Sequence, residues 1–97
     1  MYTPIELDKI RNLRYGMKAI SLIEKKLNVK SISKLDFNDL SMEEIATVIW
    51  AGLEHEDKDL NPDKVMILID EYSDFETIAE MMGKAMSDFF QKKKSNK

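Results

Sequence analysis

No cysteine occurs in the 97 residues. That excludes a disulfide framework, a thiolate zinc site and a cysteine nucleophile, and it fits a reducing compartment. Glycine is scarce as well, with three residues, so a phosphate loop, a dinucleotide fingerprint and a Gly-x-Ser-x-Gly elbow are all missing. Charge interrupts every apolar run well short of the ~18 residues a membrane span needs. Met1 to Lys9 lacks the apolar core of a signal peptide. There is one histidine, His55, and one tryptophan, Trp50.

What is present fits a small globular chain. Hydrophobic residues make up 43% of it, above the range of disordered chains. A chain of this size buries about 60–70% of its unfolded surface, enough for one modest core. The net charge of −3 conceals an asymmetry. Residues 1–35 carry eight Lys/Arg against three Asp/Glu, residues 36–80 carry two against fourteen, and residues 81–97 carry five against one. The acidic middle would repel nucleic acid, whose affinity for proteins comes largely from phosphate neutralisation. Opposed blocks can attract one another within the fold or between copies.

Periodicity and caps predict an all-α protein, a small bundle of about four helices, with a single helical domain over 1–91 and a flexible basic tail over 92–97. Leu13, Met17, Ile20, Ile23 and Leu27 recur at three- and four-residue steps and predict a first helix over about Asn12–Leu27. Lys25 and Lys26 suit its C-terminal dipole, whereas Arg11 and Arg14 are misplaced near its start, which points to work elsewhere, such as meeting the acidic middle. Val29, Ile32, Leu35, Phe37 and Leu40 predict a packed connector with a short helical turn near Ser31–Leu35. Ser41-Met42-Glu43-Glu44 is a capping box opening a second helix to about His55. Asn61-Pro62 caps and opens a third, to about Tyr72. Its run Val65 to Ile69 is apolar on nearly all sides, which predicts a central, buried helix. Ser73-Asp74-Phe75-Glu76 reads as another capping box before a fourth helix to about Gln91. Gly83 inside that helix costs about 1 kcal/mol relative to Ala and marks a bend or a close contact.

The organising stretch is Ile45 to Pro62, a helical hairpin built around Trp50 with an acidic elbow, His55-Glu56-Asp57. Gly52 leaves a flat spot where another backbone can approach. His55 with Glu56, Asp57 and Asp59 can be drawn as a metal cluster, but adjacent residues at a helix end point apart, and a histidine there caps carbonyls. Carboxylate pairs such as Glu43/Glu44 and Asp70/Glu71 have no pocket to shift their pKa, so they read as solvated faces. The chain reads as no enzyme, with no cofactor and no metal. Met81, Met82, Met86, Phe89 and Phe90 cluster late in the last helix and are the candidate partner-binding residues, because methionine surfaces accept varied partners. Met82, Met86 and Phe89 also fit a core stripe, which leaves Met81 and Phe90 as the candidates for an exposed patch.

The elbow also carries a resemblance. Trp50-Ala51-Gly52-Leu53 followed by His55-Glu56-Asp57 and Leu60 resembles the central motif of the tail assembly chaperones of long-tailed bacteriophages and prophages. Leu13-Arg14-Tyr15-Gly16-Met17 with Leu22-Ile23-Glu24 is similar to that family's first helix, and Ile67-Leu68-Ile69-Asp70-Glu71 to its third. The likeness spans about residues 5–86 and rests on the order and spacing of three stretches. It implies a protein of the host cell cytoplasm, not retained in the mature virion. Such a protein binds the tape measure protein, keeps it soluble and helps recruit tail tube protein. Self-association is expected, and neither nucleic acid nor a membrane is a partner. The resemblance favours an extended lead-in over residues 1–11, although Thr3-Pro4-Ile5-Glu6 also fits a capping box. It gives Lys92-Lys93-Lys94 a second reading besides a solubilising tail, as the trace of a frameshift site that makes a longer product. The alternative function is a small helical regulatory or adaptor protein, a transcriptional accessory, which a salt-dependent shift of duplex DNA would favour.

Overall fold

The N-terminal stretch alternates rather than turning every 3.6 residues. Thr3, Ile5 and Leu7 are buried while Pro4 and Glu6 are exposed, and Arg11, Leu13 and Tyr15 are buried in their turn. Period two is the pattern of a strand with one covered face. In the computed structural model, which describes residues 3–94 without the side chains of Asn38 and of 91–94, this stretch is a β-hairpin. Strand β1 (Thr3–Glu6) pairs antiparallel with β2 (Ile10–Leu13), Ile5 opposite Arg11 and Thr3 opposite Leu13. The fold is therefore a small α+β fold, and the all-α expectation is overturned. The reason is local. Arg11 holds an inward position that looks polar in sequence, and Leu13 with Met17 imitates a helical step, yet Leu13 lies in the strand and Met17 is exposed.

Four helices follow among the described residues: α1 (Met17–Leu27), α2 (Met42–Leu53), α3 (Pro62–Tyr72) and α4 (Phe75–Lys94). Helix α1 thus starts five residues later than its periodicity predicts. It ends at Asn28, whose left-handed backbone (φ 58°) lets Val29 N–H return to the Glu24 carbonyl. The connector carries two 3-10 turns, Ile32–Lys34 and Phe37–Asp39. Ile32 is buried, and Leu35, Phe37 and Leu40 pack against the core, so the link is packed as its composition predicts. Helix α4 continues through Lys94, and residues 95–97 of the expected basic tail lie outside the described residues.

The central helix is α2, not α3. Ile45 to Ile49 and Ala51 to Leu53 are all buried, and α2 touches β2, α1, α3 and α4. Small residues on it, Ala46, Ala51 and Gly52, let neighbours close in from several sides. Helix α3 buries only Val65 fully; Met66, Leu68 and Ile69 are half-buried, and Ile67 stays 57% exposed. Ser41 and Glu44 form the reciprocal capping box of α2, and Asn61 caps α3 with Pro62 at its first position. At α4 the cap is Asp74 rather than Ser73. Its carboxylate accepts from the Thr77 N–H at 2.8 Å and the Thr77 hydroxyl at 3.1 Å, while the Ser73 N–H closes α3 onto the Ile69 carbonyl. These bonds hold the Asp74 carboxyl below the usual carboxylate range.

Candidate functional site

Strand β2 and the residues after it dock onto the C-terminal end of α2. The Arg14 N–H donates to the Gly52 carbonyl at 3.0 Å. The Tyr15 hydroxyl donates to the Val48 carbonyl at 2.7 Å, and burial of this phenol pushes its pKa far above the ordinary value. Gly52 makes room for both. A Cβ there would stand 2.7 Å from Tyr15 Cζ and 2.9 Å from Leu13 Cδ2. The flat spot on α2 is filled by a tyrosine ring and a leucine.

The acidic elbow finishes the edge of the hairpin. Glu56 Oε1 accepts the Asn12 N–H at 3.0 Å, and His55 Nε2 lies 2.8 Å from the Asn12 carbonyl oxygen. Because that oxygen only accepts, Nε2 carries the proton. His55 thus reaches a strand through Nε2. Asn12 gives both backbone groups to the elbow, so the Pro4–Asn12 pair exchanges no ladder bond, and Pro4 costs the sheet no donor. A strand edge that would otherwise invite another chain is covered from within.

Beneath lies an ion triad. Arg11 is only 4% exposed. Its guanidinium donates to both Asp8 carboxylate oxygens at 2.9 Å and to Asp57 Oδ2 at 3.1 Å. The Arg11 bonds hold Asp8 below its ordinary pKa. Asp57 is held down first by the Asp59 N–H and then by Arg11. Arg11 does meet the acidic middle. Trp50 is half-buried, its Nε1–H donating to the Leu60 carbonyl at 3.0 Å and its ring lying 5.6 Å below Lys26 Nζ. The indole thereby ties the α2–α3 link back to α2.

No family model, curated protein or solved structure matches the chain. The site is therefore read from its geometry. Among the described residues, no three metal-capable side chains converge, and no helix is long and apolar enough to cross a membrane.

The residues expected to bind a partner separate in the structure. Met82 and Met86 are buried in the core, Met81 and Phe89 are half-buried against it, and Phe90 alone is exposed, its ring edge-on to Phe89 at 5.1 Å. Two further apolar surfaces lie elsewhere. One is the outer side of α3, where Ile67 and Leu68 flank an open depression of about 250 Å³ whose wall also holds the buried Leu60 and the charged Asp8, Arg11 and Lys64. A second is a groove of about 230 Å³ between α2, α3 and α4, lined by Met42, Ile45, Met66, Ile69 and Phe75 together with Asp70. Met17, Met42 and Phe75 each occupy the first position of a helix and are exposed. An apolar residue directly after a cap is the sequence signal that would have found them.

Proposed function

We propose that this chain is a tail assembly chaperone of a long-tailed phage or prophage. It binds the tape measure protein in the host cytoplasm, keeps its apolar helical surface from aggregating and helps recruit tail tube subunits, itself or through a longer product. The observation that carries this reading is that the first two stretches of the resemblance interlock. Leu13-Arg14-Tyr15 seats on Gly52, and the Asn12 backbone is held by His55 and Glu56. The first of these stretches, which the resemblance takes as helix, ends strand β2 and enters α1 only at Met17, so the reading rests on the order and spacing of the stretches together with this contact.

The third stretch supplies the contact surface. Helix α3 is apolar on more sides than the fold covers, and a helix of that kind needs something on its open side. Ile67 and the half-buried Leu68 suit the apolar face of an amphipathic target helix, with Lys64 beside them for its polar rim. Copies in a row along one long target gain by avidity, so each contact can be weak. The test is co-expression with the tape measure protein of the same gene cluster, followed by fractionation. The target is expected to become soluble and to co-purify only when this chain is present. A target that stays insoluble beside either this chain or its longer product would refute the reading.

A further inference from the structure

We propose that the groove between α2, α3 and α4 is a docking site for a basic amphipathic helix of another protein. That helix seats one long apolar side chain between Met42 and Phe75 and lays flanking lysines or arginines on the acids around them. Met42 and Phe75 both line the groove, each at the first position of its helix, and they are 62% and 43% exposed. A first helical turn is stabilised by a cap and by acids, not by an exposed apolar side chain, so neither residue is there for its own helix. Ile45 and Ile78, each three residues further on, are buried and close the groove below. A volume of about 230 Å³ admits a single leucine, methionine or phenylalanine side chain.

The charge around it has one sign. The segments that build the groove, residues 41–46 and 66–78, contain Glu43, Glu44, Asp70, Glu71, Asp74 and Glu76 and no Lys or Arg. Dipoles and caps account for four of these acids. Glu43 and Glu44 stand in the first turn of α2 and Glu76 in that of α4, at the positive helix ends, and Asp74 caps α4. Asp70 and Glu71 have no such account. Both are exposed in the last turn of α3, where the dipole disfavours acids and no basic residue offsets them. Among the described residues neither enters an ion pair. Asp70 lines the groove itself. An acid held against the dipole beside an apolar seat is complementary to a cation that arrives with an apolar neighbour.

The walls are helices, whose backbone groups are already bonded, so the groove offers no strand edge and gives affinity through side chains alone. A helical partner suits it, because such a partner brings its apolar side chain with its own backbone satisfied. Cations three and four positions to either side of that side chain lie on the same helix face. The seat is small and its rim is charged, so the contact is weak and salt-sensitive. Met66, Ile69 and Asp70 of α3 line this groove, whereas Ile67 and Leu68 flank the depression on the outer side. The groove is thus a second site, separate from the face assigned to the tape measure protein, and its occupancy is measurable without that protein.

The experiment is an amide NMR titration of the isotope-labelled full chain with a synthetic Leu/Lys helix of about 14 residues, its leucines on one face. Signals of Met42, Ile69, Asp70 and Phe75 are expected to shift, with an affinity that falls at least about fivefold at about 0.5 M salt. The same peptide with Glu for Lys, or with Ser for Leu, is expected not to bind. Asp70→Lys combined with Glu71→Lys places cations where the α3 dipole favours them, so the double variant folds. It is expected to lose the Leu/Lys helix by about tenfold or more and to take the Leu/Glu helix instead. Met42→Ser keeps the Ser41 cap, removes one apolar wall and should weaken binding about tenfold. No binding, shifts spread over acids far from the groove such as Asp59 and Asp63, a charge-reversed variant that still prefers lysine, or a Met42→Ser protein that binds as wild type does would each overturn the proposal. Groove signals that move with protein concentration alone would give the groove to a second copy of this chain and overturn it as well.

Discussion

Two glycines sit inside helices of this protein, and replacing each by alanine should move stability in opposite directions. Helix propensity alone favours alanine by up to about 1 kcal/mol at either position. At Gly83 nothing lies within 4 Å of the added methyl, so the propensity gain stands, and Gly83→Ala should stabilise by about 0.5–1 kcal/mol. It follows that Gly83 marks neither a close contact nor a packing need. At Gly52 the methyl would meet Tyr15 Cζ at 2.7 Å, Leu13 Cδ2 at 2.9 Å and the Tyr15 hydroxyl oxygen at 2.9 Å. A buried ring cannot swing aside as a surface lysine can, so the strand must lift. Overpacking of this kind costs about 1–3 kcal/mol, and weakening the Tyr15–Val48 hydrogen bond adds about 1 kcal/mol. Set against the propensity gain, Gly52→Ala should destabilise by about 1–3 kcal/mol. Urea unfolding followed by circular dichroism and Trp50 fluorescence measures both variants. A Gly52→Ala protein as stable as wild type or more so would refute the docking of β2 on α2.

Other consequences are open to the same assay. Tyr15→Phe removes the donor to Val48 and should cost about 1 kcal/mol. Ser41→Ala should cost about 1 kcal/mol through loss of the α2 cap, whereas Ser73→Ala should change stability by less than about 0.5 kcal/mol, because Asp74 caps α4. Asp8 and Asp57 have pKa values lowered on folding from their ordinary 3.8. The stability they contribute is therefore complete above that value and is lost as the pH falls through their folded values. Asp57→Asn should flatten the acid limb of a stability–pH curve, and an unchanged limb would contradict the Arg11 triad.

The parts of the fold legible in sequence are those decided within four residues. Ser41 with Glu44, and Asn61 with Pro62, announce the starts of α2 and α3 through groups that reach only their own first turn. At Ser73-Asp74 two candidate caps stand side by side, and only geometry separates them. The hairpin is hidden because Arg11, polar in the sequence, faces inward, neutralised by Asp8 three positions before it and by Asp57 46 positions away. The burial of α3 was overestimated because an apolar run reports affinity for a neighbour and not whether the chain supplies one. Gly52 announced a close approach but not its partner, since Leu13 and Tyr15 arrive from the other end of the sequence. Met82 and Met86 turn inward while Phe90 stays exposed, a split that composition does not show because a stripe of core residues and a sticky patch look alike in sequence.

The most direct test of the chaperone account is the soluble fraction of the tape measure protein co-expressed with wild type and with Ile67→Glu. Ile67 is exposed in mid-helix, so the substitution leaves the core intact, which a thermal melt of the variant alone will check. The account predicts a folded variant that no longer keeps the target soluble, beside a wild type that does. A folded Ile67→Glu chain that solubilises the target as well as wild type would contradict the assignment of the outer face of α3. A wild type that never solubilises it would contradict the account itself.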